Sequence, residues 1–128
     1  MSLITDTSSQ IRRSRKITDW VLHDDRIFIR DITLDEPDDM ITDAYLTIKA
    51  DPTSDDSASL LQKHVTATPS SSGLILDGEI TINILGSELA SALATIPYYF
   101  DIEILTSKQR TLTIEVGTIN FVQDVTGG

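Results

Sequence analysis

The chain contains no cysteine among its 128 residues and only two histidines, so the residue types on which many catalytic and metal sites depend are scarce. Disulfide bonds, thiolate zinc sites and cysteine nucleophiles are therefore excluded. No apolar run approaches the roughly 20 residues that a membrane-spanning helix needs. Residues 1–10 show no basic stretch followed by an apolar one. We therefore expect a soluble chain without a signal peptide or a membrane partner.

Basic residues are also few. The chain has 10 Lys and Arg against 20 Asp and Glu, which gives a formal net charge of −10 and a pI near 4.3. Because a protein needs a basic face to neutralise a phosphate backbone, this composition argues against a nucleic-acid partner.

The basic residues that are present concentrate near the N-terminus. Residues 1–14 are polar and serine-rich, so we predict a flexible arm there and one domain over residues 15–126. The basic cluster at this boundary predicts either a solvated terminus or a segment that docks on an acidic neighbour. The single tryptophan, Trp20, is either a core residue or an anchor in the same interface. The candidate interface residues are therefore Arg12, Arg13, Arg15, Lys16 and Trp20.

The clearest structural pattern is a β-hairpin over Pro97–Val122. Apolar residues alternate with polar ones in its first strand, as in a half-buried strand, at Tyr98, Phe100, Ile102 and Ile104. The matching inward face of the second strand is Leu112, Ile114 and Val116, with Glu115 outward. After Gly117 the apolar positions shift by one residue, to Ile119 and Phe121. We therefore predict a β-bulge at Gly117–Thr118 that restores the pattern.

Shorter alternating runs predict further strands and one helix. The strands are Ile17–Leu22, Arg26–Ile32, Ala44–Ala50 with Ala50 inward, Leu74–Leu76 and Glu79–Leu85. Leu60–Thr68 fits either a short helical turn or a strand from Lys63, and we favour the strand. Asp77-Gly78 predicts a tight hairpin turn. The helix covers residues 87–94, with Ser87 as its N-cap and Leu89, Ala92 and Leu93 on its apolar face. About seven short strands with this one helix predict an all-β, antiparallel β-sandwich, with a barrel as the alternative.

No catalytic constellation is visible. His23 and His64 lie far apart in the sequence and neither belongs to a zinc or nucleophile motif, so we predict no enzyme activity and no cofactor. Two acidic loops could supply oxygen ligands for calcium, from Asp35, Glu36, Asp38 and Asp39 in the first and from Asp51, Asp55 and Asp56 in the second. Neither loop has the glycine of a regular calcium loop. We therefore assign no metal site and favour solvated loops.

Three stretches resemble a known family. They are Arg26–Asp31, Asp38–Lys49, and the segment from Tyr98 to Thr126 that begins Tyr-Tyr-Phe-Asp-Ile-Glu-Ile and closes with Asp-Val-Thr. They resemble the small immunoglobulin-like modules of tailed-bacteriophage virion proteins, such as the N-terminal module of baseplate upper proteins and related tail, neck and fibre proteins. The chain departs from that pattern at Ser107–Arg110, which lacks the usual Asp-Gly pair, and in its acidic loops.

The resemblance implies an immunoglobulin-like β-sandwich with a structural function in a virion that assembles in the bacterial cytoplasm. It also implies a homo-oligomer that docks other virion proteins at a tail, baseplate, neck or fibre attachment, with no small-molecule substrate. A second hypothesis is a carbohydrate- or protein-binding β-sandwich module whose acidic loops hold calcium.

Overall fold

A computed structural model describes residues 13–34, 36–53 and 59–123. Within these ranges the chain forms eight β-strands and one short 3-10 helix, Gly86–Leu89. The strands are β1 (Arg13–Ile17), β2 (Arg26–Asp31), β3 (Ile41–Lys49), β4 (Leu61–Thr66), β5 (Gly73–Leu76), β6 (Glu79–Ile84), β7 (Tyr98–Thr106) and β8 (Thr111–Ile119).

The strands form two sheets. One has five strands in the order β1-β8-β7-β3-β4, and the other has three in the order β2-β6-β5. Every strand pair is antiparallel except β1 with β8, which runs parallel, with Arg13 opposite Glu115 and Ile17 opposite Ile119. The buried apolar residues of both sheets belong to one core. The prediction of an all-β chain with mostly antiparallel strands in two layers is confirmed.

The core follows the two-residue period of the strands. In β7 the predicted inward residues are all buried, and in β6 Ile80, Ile82 and Ile84 are buried while the residues between them are not. Ala44, Leu46 and Ile48 fill the same role in β3, although Ala50, which we expected inward, lies exposed beyond the end of the strand. Burying each large aliphatic side chain contributes about 1.5–3 kcal/mol, so this alternation holds the two sheets together.

The predicted β7–β8 hairpin is present, but its bulge lies earlier than predicted. Ile102 opposes Glu115 and Glu103 opposes Thr113, so the extra residue is Ile114. Glu115 and Ile119 are therefore buried, and Val116 pairs with Asp101 on the other face. The predictions that Glu115 points outward, that Val116 points inward and that the bulge lies at Gly117–Thr118 were wrong.

One buried contact explains the position of the bulge, and Gly117 has a different role. Glu115 finds a buried partner in Arg30 of β2, so its charge is compensated on the core face. Gly117 lies where a side chain has no room, because a Cβ atom there would lie 2.2 Å from the Arg15 carbonyl oxygen and 2.6 Å from Phe100 Cε1. Gly117 thus allows β1 to approach β8, rather than supplying an unusual backbone angle.

Two local predictions near the N-terminus and before β7 also need correction. Ile17–Leu22 is not one strand: Ile17 ends β1, and Val21 forms a single bridge with Val122. The predicted helix over 87–94 is only the turn Gly86–Leu89, and Ser87 does not cap it. Instead the Glu88 carboxylate accepts a hydrogen bond from the Leu85 N–H, at 2.9 Å. Leu93, expected on the apolar face, is exposed.

Candidate functional site

Trp20 is a core residue. Its side chain is 1% exposed, and its ring centroid lies 5.9 Å from that of Phe28 and 5.1 Å from that of Phe121. The indole N–H donates to the Asp24 carbonyl oxygen at 3.0 Å, which satisfies the only polar atom of the ring. Of the two roles predicted for Trp20, the structure shows core packing, and its indole is not on the surface where an interface anchor would lie.

The basic cluster lies on an edge strand. β1 starts at Arg13, two residues before the predicted domain boundary at residue 15, because it pairs with β8. Arg15 is half-buried and Lys16 is exposed. Of the flexible arm predicted over residues 1–14, residues 1–12, which include Arg12, lie outside the described residues, whereas Arg13 and Ser14 belong to β1. The structure thus places Arg13, Arg15 and Lys16, three of the five candidate interface residues, along one edge of the five-stranded sheet.

A buried ion pair joins the two sheets. Arg30 Nε and Nη2 each donate to one carboxylate oxygen of Glu115 at 2.8 Å, and both side chains are at most 2% exposed. This pair was not predicted from the sequence, because apolar residues are normally expected on the inward face of a strand. In β2 the inward face is instead Arg26, Phe28 and Arg30, while Ile27 and Ile29 are only half-buried. The Arg-x-Phe-x-Arg alternation could have indicated that the two arginines share a face with Phe28. The guanidinium carbons of Arg26 and Arg30 lie 5.8 and 5.3 Å from the Phe28 ring centroid.

Asp39, a candidate calcium ligand, binds the β7–β8 turn. Its Oδ1 accepts hydrogen bonds from the Lys108 N–H at 2.9 Å and the Ser107 hydroxyl at 3.2 Å. Its Oδ2 accepts from Arg110 Nε at 2.9 Å and Nη2 at 2.8 Å. Burial alone would raise the pKa of Asp39, but these donors outweigh burial and lower that pKa to about 2. Both carboxylate oxygens therefore serve to position the turn.

The other candidate calcium ligands do not gather into a site within the described residues. Asp51 accepts hydrogen bonds from the N–H and hydroxyl of Thr53, at 2.9 and 2.7 Å. Asp35, Asp55 and Asp56 lie outside the described residues. Across residues 13–34, 36–53 and 59–123, no group of three His, Asp or Glu side chains is arranged to hold a metal ion.

The two histidines remain apart. His23 is exposed, with a φ angle of 71° in a turn. His64, on β4, stacks on Tyr45 with ring centroids 4.5 Å apart, and its Nε2 lies 2.7 Å from Asp43 Oδ1. The hydrogen bond from His64 lowers the pKa of Asp43. This pair lies on the exposed face of the five-stranded sheet, not in a deep cleft.

One candidate binding surface is an apolar groove at one end of the fold, which we call the end groove. Its volume is about 540 Å³, and Ile32, Ile41 and Ile75 lie at its base. At its mouth Met40 is 69% exposed and Leu76 is 61% exposed. The Ser107 N–H donates to the Met40 carbonyl oxygen at 2.7 Å, so this end of the fold also carries the β7–β8 turn. An apolar groove with exposed Met and Leu is typical of an interaction site.

Two smaller clefts adjoin on the outer face of the five-stranded sheet. We call them the outer-face clefts. Their volumes are about 250 and 340 Å³, and both include Thr47 and Asp101. Tyr99 lines the first, whereas Tyr45 and Glu103 line the second. Aromatic rings beside carboxylates and hydroxyls are suited to a polar ligand that also has an apolar face.

The sequence comparisons identify no relatives. No protein-family model matches the chain, and no curated protein matches its sequence. Among the described residues, no helix has the length and apolar character needed to cross a membrane.

Proposed function

We propose that the chain is a non-enzymatic structural or adaptor protein of a tailed-phage virion, with an immunoglobulin-like fold, that assembles in several copies and attaches other virion proteins. The observation that carries the proposal is where the resembling stretches lie. They fall on β2, β3, β7 and β8, and the last three of these strands are neighbours in the five-stranded sheet. Three of the four resembling strands therefore form a continuous part of the five-stranded sheet, and β2 lies in the other sheet.

The distribution of exposed apolar residues fits an assembly role. Met40 and Leu76 lie at the end groove. Leu85, Leu93 and Ile96 are exposed near the opposite end, where β6 finishes and β7 begins. Large exposed apolar residues often mark contacts with other proteins, and two different contact surfaces on one subunit allow repeated head-to-tail assembly.

The direct test is mass spectrometry of purified particles from the phage or prophage that carries the gene. We expect the chain in a fixed ratio to the other tail proteins. As a matched pair, particles are also produced with Met40→Asp and with Thr68→Asp, because both residues are exposed and only the first borders the end groove. Incorporation should fall for Met40→Asp alone. Absence of the unmodified chain from mature particles would contradict the proposal.

The outer-face clefts favour a second candidate, a carbohydrate- or protein-binding module. Tyr45 and Tyr99 provide ring faces, and Gln62 and Asp101 provide the amide and carboxylate that bind neighbouring sugar hydroxyls. Calorimetry against bacterial cell-wall oligosaccharides, with and without calcium, tests this role. Binding that Tyr99→Ala abolishes and Thr68→Ala preserves would favour it. Heat absent for every glycan, in calcium and in chelator, would exclude carbohydrate recognition by this face.

A further inference from the structure

The strand β1 has backbone hydrogen-bonding groups that face away from its sheet. It pairs with β8 on one side, and no described strand lies on its other side, which we call the β1 edge. The Ile17 carbonyl oxygen faces β8, where it accepts from the Asn120 N–H at 2.9 Å, and the Arg15 carbonyl oxygen also faces β8. Because the direction alternates along a strand, the N–H and C=O of Ser14 and Lys16 point to the β1 edge. The β1 edge can therefore accept one more strand.

The β1 edge is basic, although the chain as a whole is acidic. Lys16 is exposed and Arg15 is half-buried, and neither forms an ion pair with the part of the chain that the structure describes. Burial lowers the pKa of Arg26 on β2, Asp19 raises it, and the nearby charge of Arg15 lowers it again. Cations therefore repel one another on this side of the fold, and an added carboxylate would relieve the repulsion.

The two cations of the β1 edge lie on opposite faces of the sheet. Arg15 shares the inward face of β1 with the buried Ile17, whereas Lys16 shares the outward face with the exposed Ser14. Neighbouring residues of an added strand also point to opposite faces, so two consecutive carboxylates can meet both cations. The main-chain hydrogen bonds would supply the affinity of such a strand, and the carboxylates would supply its specificity.

The edge strands of a second copy do not have this chemistry. Those of the described fold are β1, β4, β2 and β5, whose sequences are RSRKI, LQKHVT, RIFIRD and GLIL. Asp31, the last residue of β2, is the one carboxylate in these four described strands. Pairing β1 with the β1 of another copy would place like charges opposite each other, which is destabilising. The charges therefore favour a segment of a different protein.

We propose that the β1 edge binds an extended acidic segment of another protein, which adds to the five-stranded sheet beside β1. The segment has two neighbouring Asp or Glu residues, one opposite Arg15 and one opposite Lys16, and its backbone bonds to the N–H and C=O of Ser14 and Lys16. Of the two roles predicted for the basic cluster, this is docking on an acidic neighbour. The proposal does not rest on the virion function, whose two contact surfaces do not include β1.

The first experiment is an NMR titration of the ¹⁵N-labelled full chain. The probe is the peptide Thr-Val-Thr-Asp-Glu-Val-Thr with blocked termini, and the control peptide has Asn-Gln in place of Asp-Glu. We expect the acidic peptide to shift the amide signals of Ser14 and Lys16 and to slow their hydrogen exchange, with the β4 amides unchanged. The control peptide should bind at least about fivefold more weakly, because it lacks both ion pairs.

Matched variants separate the backbone contribution from the charge. Ser14→Pro removes an N–H that points to the β1 edge, whereas Ser14→Ala keeps it, and an edge strand tolerates proline where the N–H faces solvent. We expect Ser14→Pro to weaken binding of the acidic peptide at least about fivefold and Ser14→Ala to leave it unchanged. Lys16→Glu should weaken binding by a similar factor, and Lys16→Arg should preserve it. Urea unfolding followed by Trp20 fluorescence shows whether each variant is folded.

Four outcomes would overturn the proposal. Unchanged β1 amide signals with the acidic peptide would show that the β1 edge does not bind it. Equal affinity for the two peptides would show that charge does not select the segment. Full binding by folded Ser14→Pro would show that the peptide does not add as a strand. Dimers of the unmodified chain that Ser14→Pro abolishes, measured by light scattering, would show that a second copy occupies the β1 edge.

Discussion

The two clearest hairpins of the protein form their turns by different means. In β5–β6 the turn is Asp77-Gly78, and both residues have positive φ angles, of 52° and 81°. In β7–β8 the turn Ser107–Arg110 places Gln109 at a φ of 62°, and its donors bind Asp39, which lies 68 to 71 positions earlier in the chain. The first turn is specified by its own residues and the second by a carboxylate from another part of the fold.

The difference has a physical basis. Asp and Gly adopt left-handed backbone angles at low cost, so Asp77-Gly78 favours a two-residue hairpin wherever it stands. Gln109 pays about 1–2 kcal/mol for the same angles. The hydrogen bonds from Lys108 and Arg110 to Asp39 offset that cost, but only once β3 and β8 have come together. The β7–β8 turn is therefore a result of the tertiary structure.

Among changes in the β7–β8 hairpin, loss of the Glu115 carboxylate should reduce the unfolding free energy the most. Glu115→Ala leaves the Arg30 guanidinium buried without its main partner, which costs about 3–5 kcal/mol of unfolding free energy. Urea unfolding followed by Trp20 fluorescence measures the loss. The control Arg30→Met/Glu115→Leu removes both charges and should recover most of the stability. If this control is as unstable as Glu115→Ala, the unpaired charge is not the cause.

Gly117→Ala should have the next largest effect. The new Cβ would lie 2.2 Å from the Arg15 carbonyl oxygen, so β1 must move away from β8. We expect a loss of about 1–3 kcal/mol and faster hydrogen exchange of the β1 amides, measured by NMR or mass spectrometry. Protection of β1 equal to that in the unmodified protein would mean that the strands tolerate the methyl group.

Gly78→Ala should weaken the β5–β6 hairpin by a smaller amount. An alanine at a φ of 81° loses about 1–2 kcal/mol, and its Cβ would also lie 2.8 Å from the Ile32 carbonyl oxygen. Thermal unfolding measures the change in stability. Because the turn is local, hydrogen exchange should increase in β5 and β6 and stay unchanged in β7 and β8. Equal loosening of both hairpins would contradict local specification.

Gln109→Asn should produce the smallest effect, with the opposite sign. Asparagine tolerates left-handed backbone angles better than glutamine does, so we expect a gain of about 0.5 kcal/mol. Urea unfolding followed by Trp20 fluorescence measures this gain. A loss of stability would mean that the Gln109 side chain makes a contribution larger than the backbone cost.

The regular parts of the fold were predictable because their signals are local. The alternation in β6 and β7 predicted both strands and their inward faces, and Asp77-Gly78 predicted its turn. The bulge was misplaced because the burial of Glu115 depends on Arg30, which is 85 positions away. Asp39 was interpreted as part of a solvated or calcium-binding loop because nothing near it in sequence indicates that the β7–β8 turn would supply its donors. The end groove was not predicted, since it forms where three separate segments meet, around Ile32, Ile41 and Ile75.

The pKa of Asp39 tests most directly whether its carboxylate stabilises the β7–β8 turn. Because its pKa is lowered to about 2 from the ordinary 3.8, its contribution to stability is fully present above pH 3.8 and is lost as the pH falls towards 2. The pKa can be read from the carboxyl ¹³C shift of Asp39, assigned by comparison with Asp39→Asn. We expect a pKa of about 2. A pKa near 3.8 would show that the Asp39 carboxylate does not hold the β7–β8 turn.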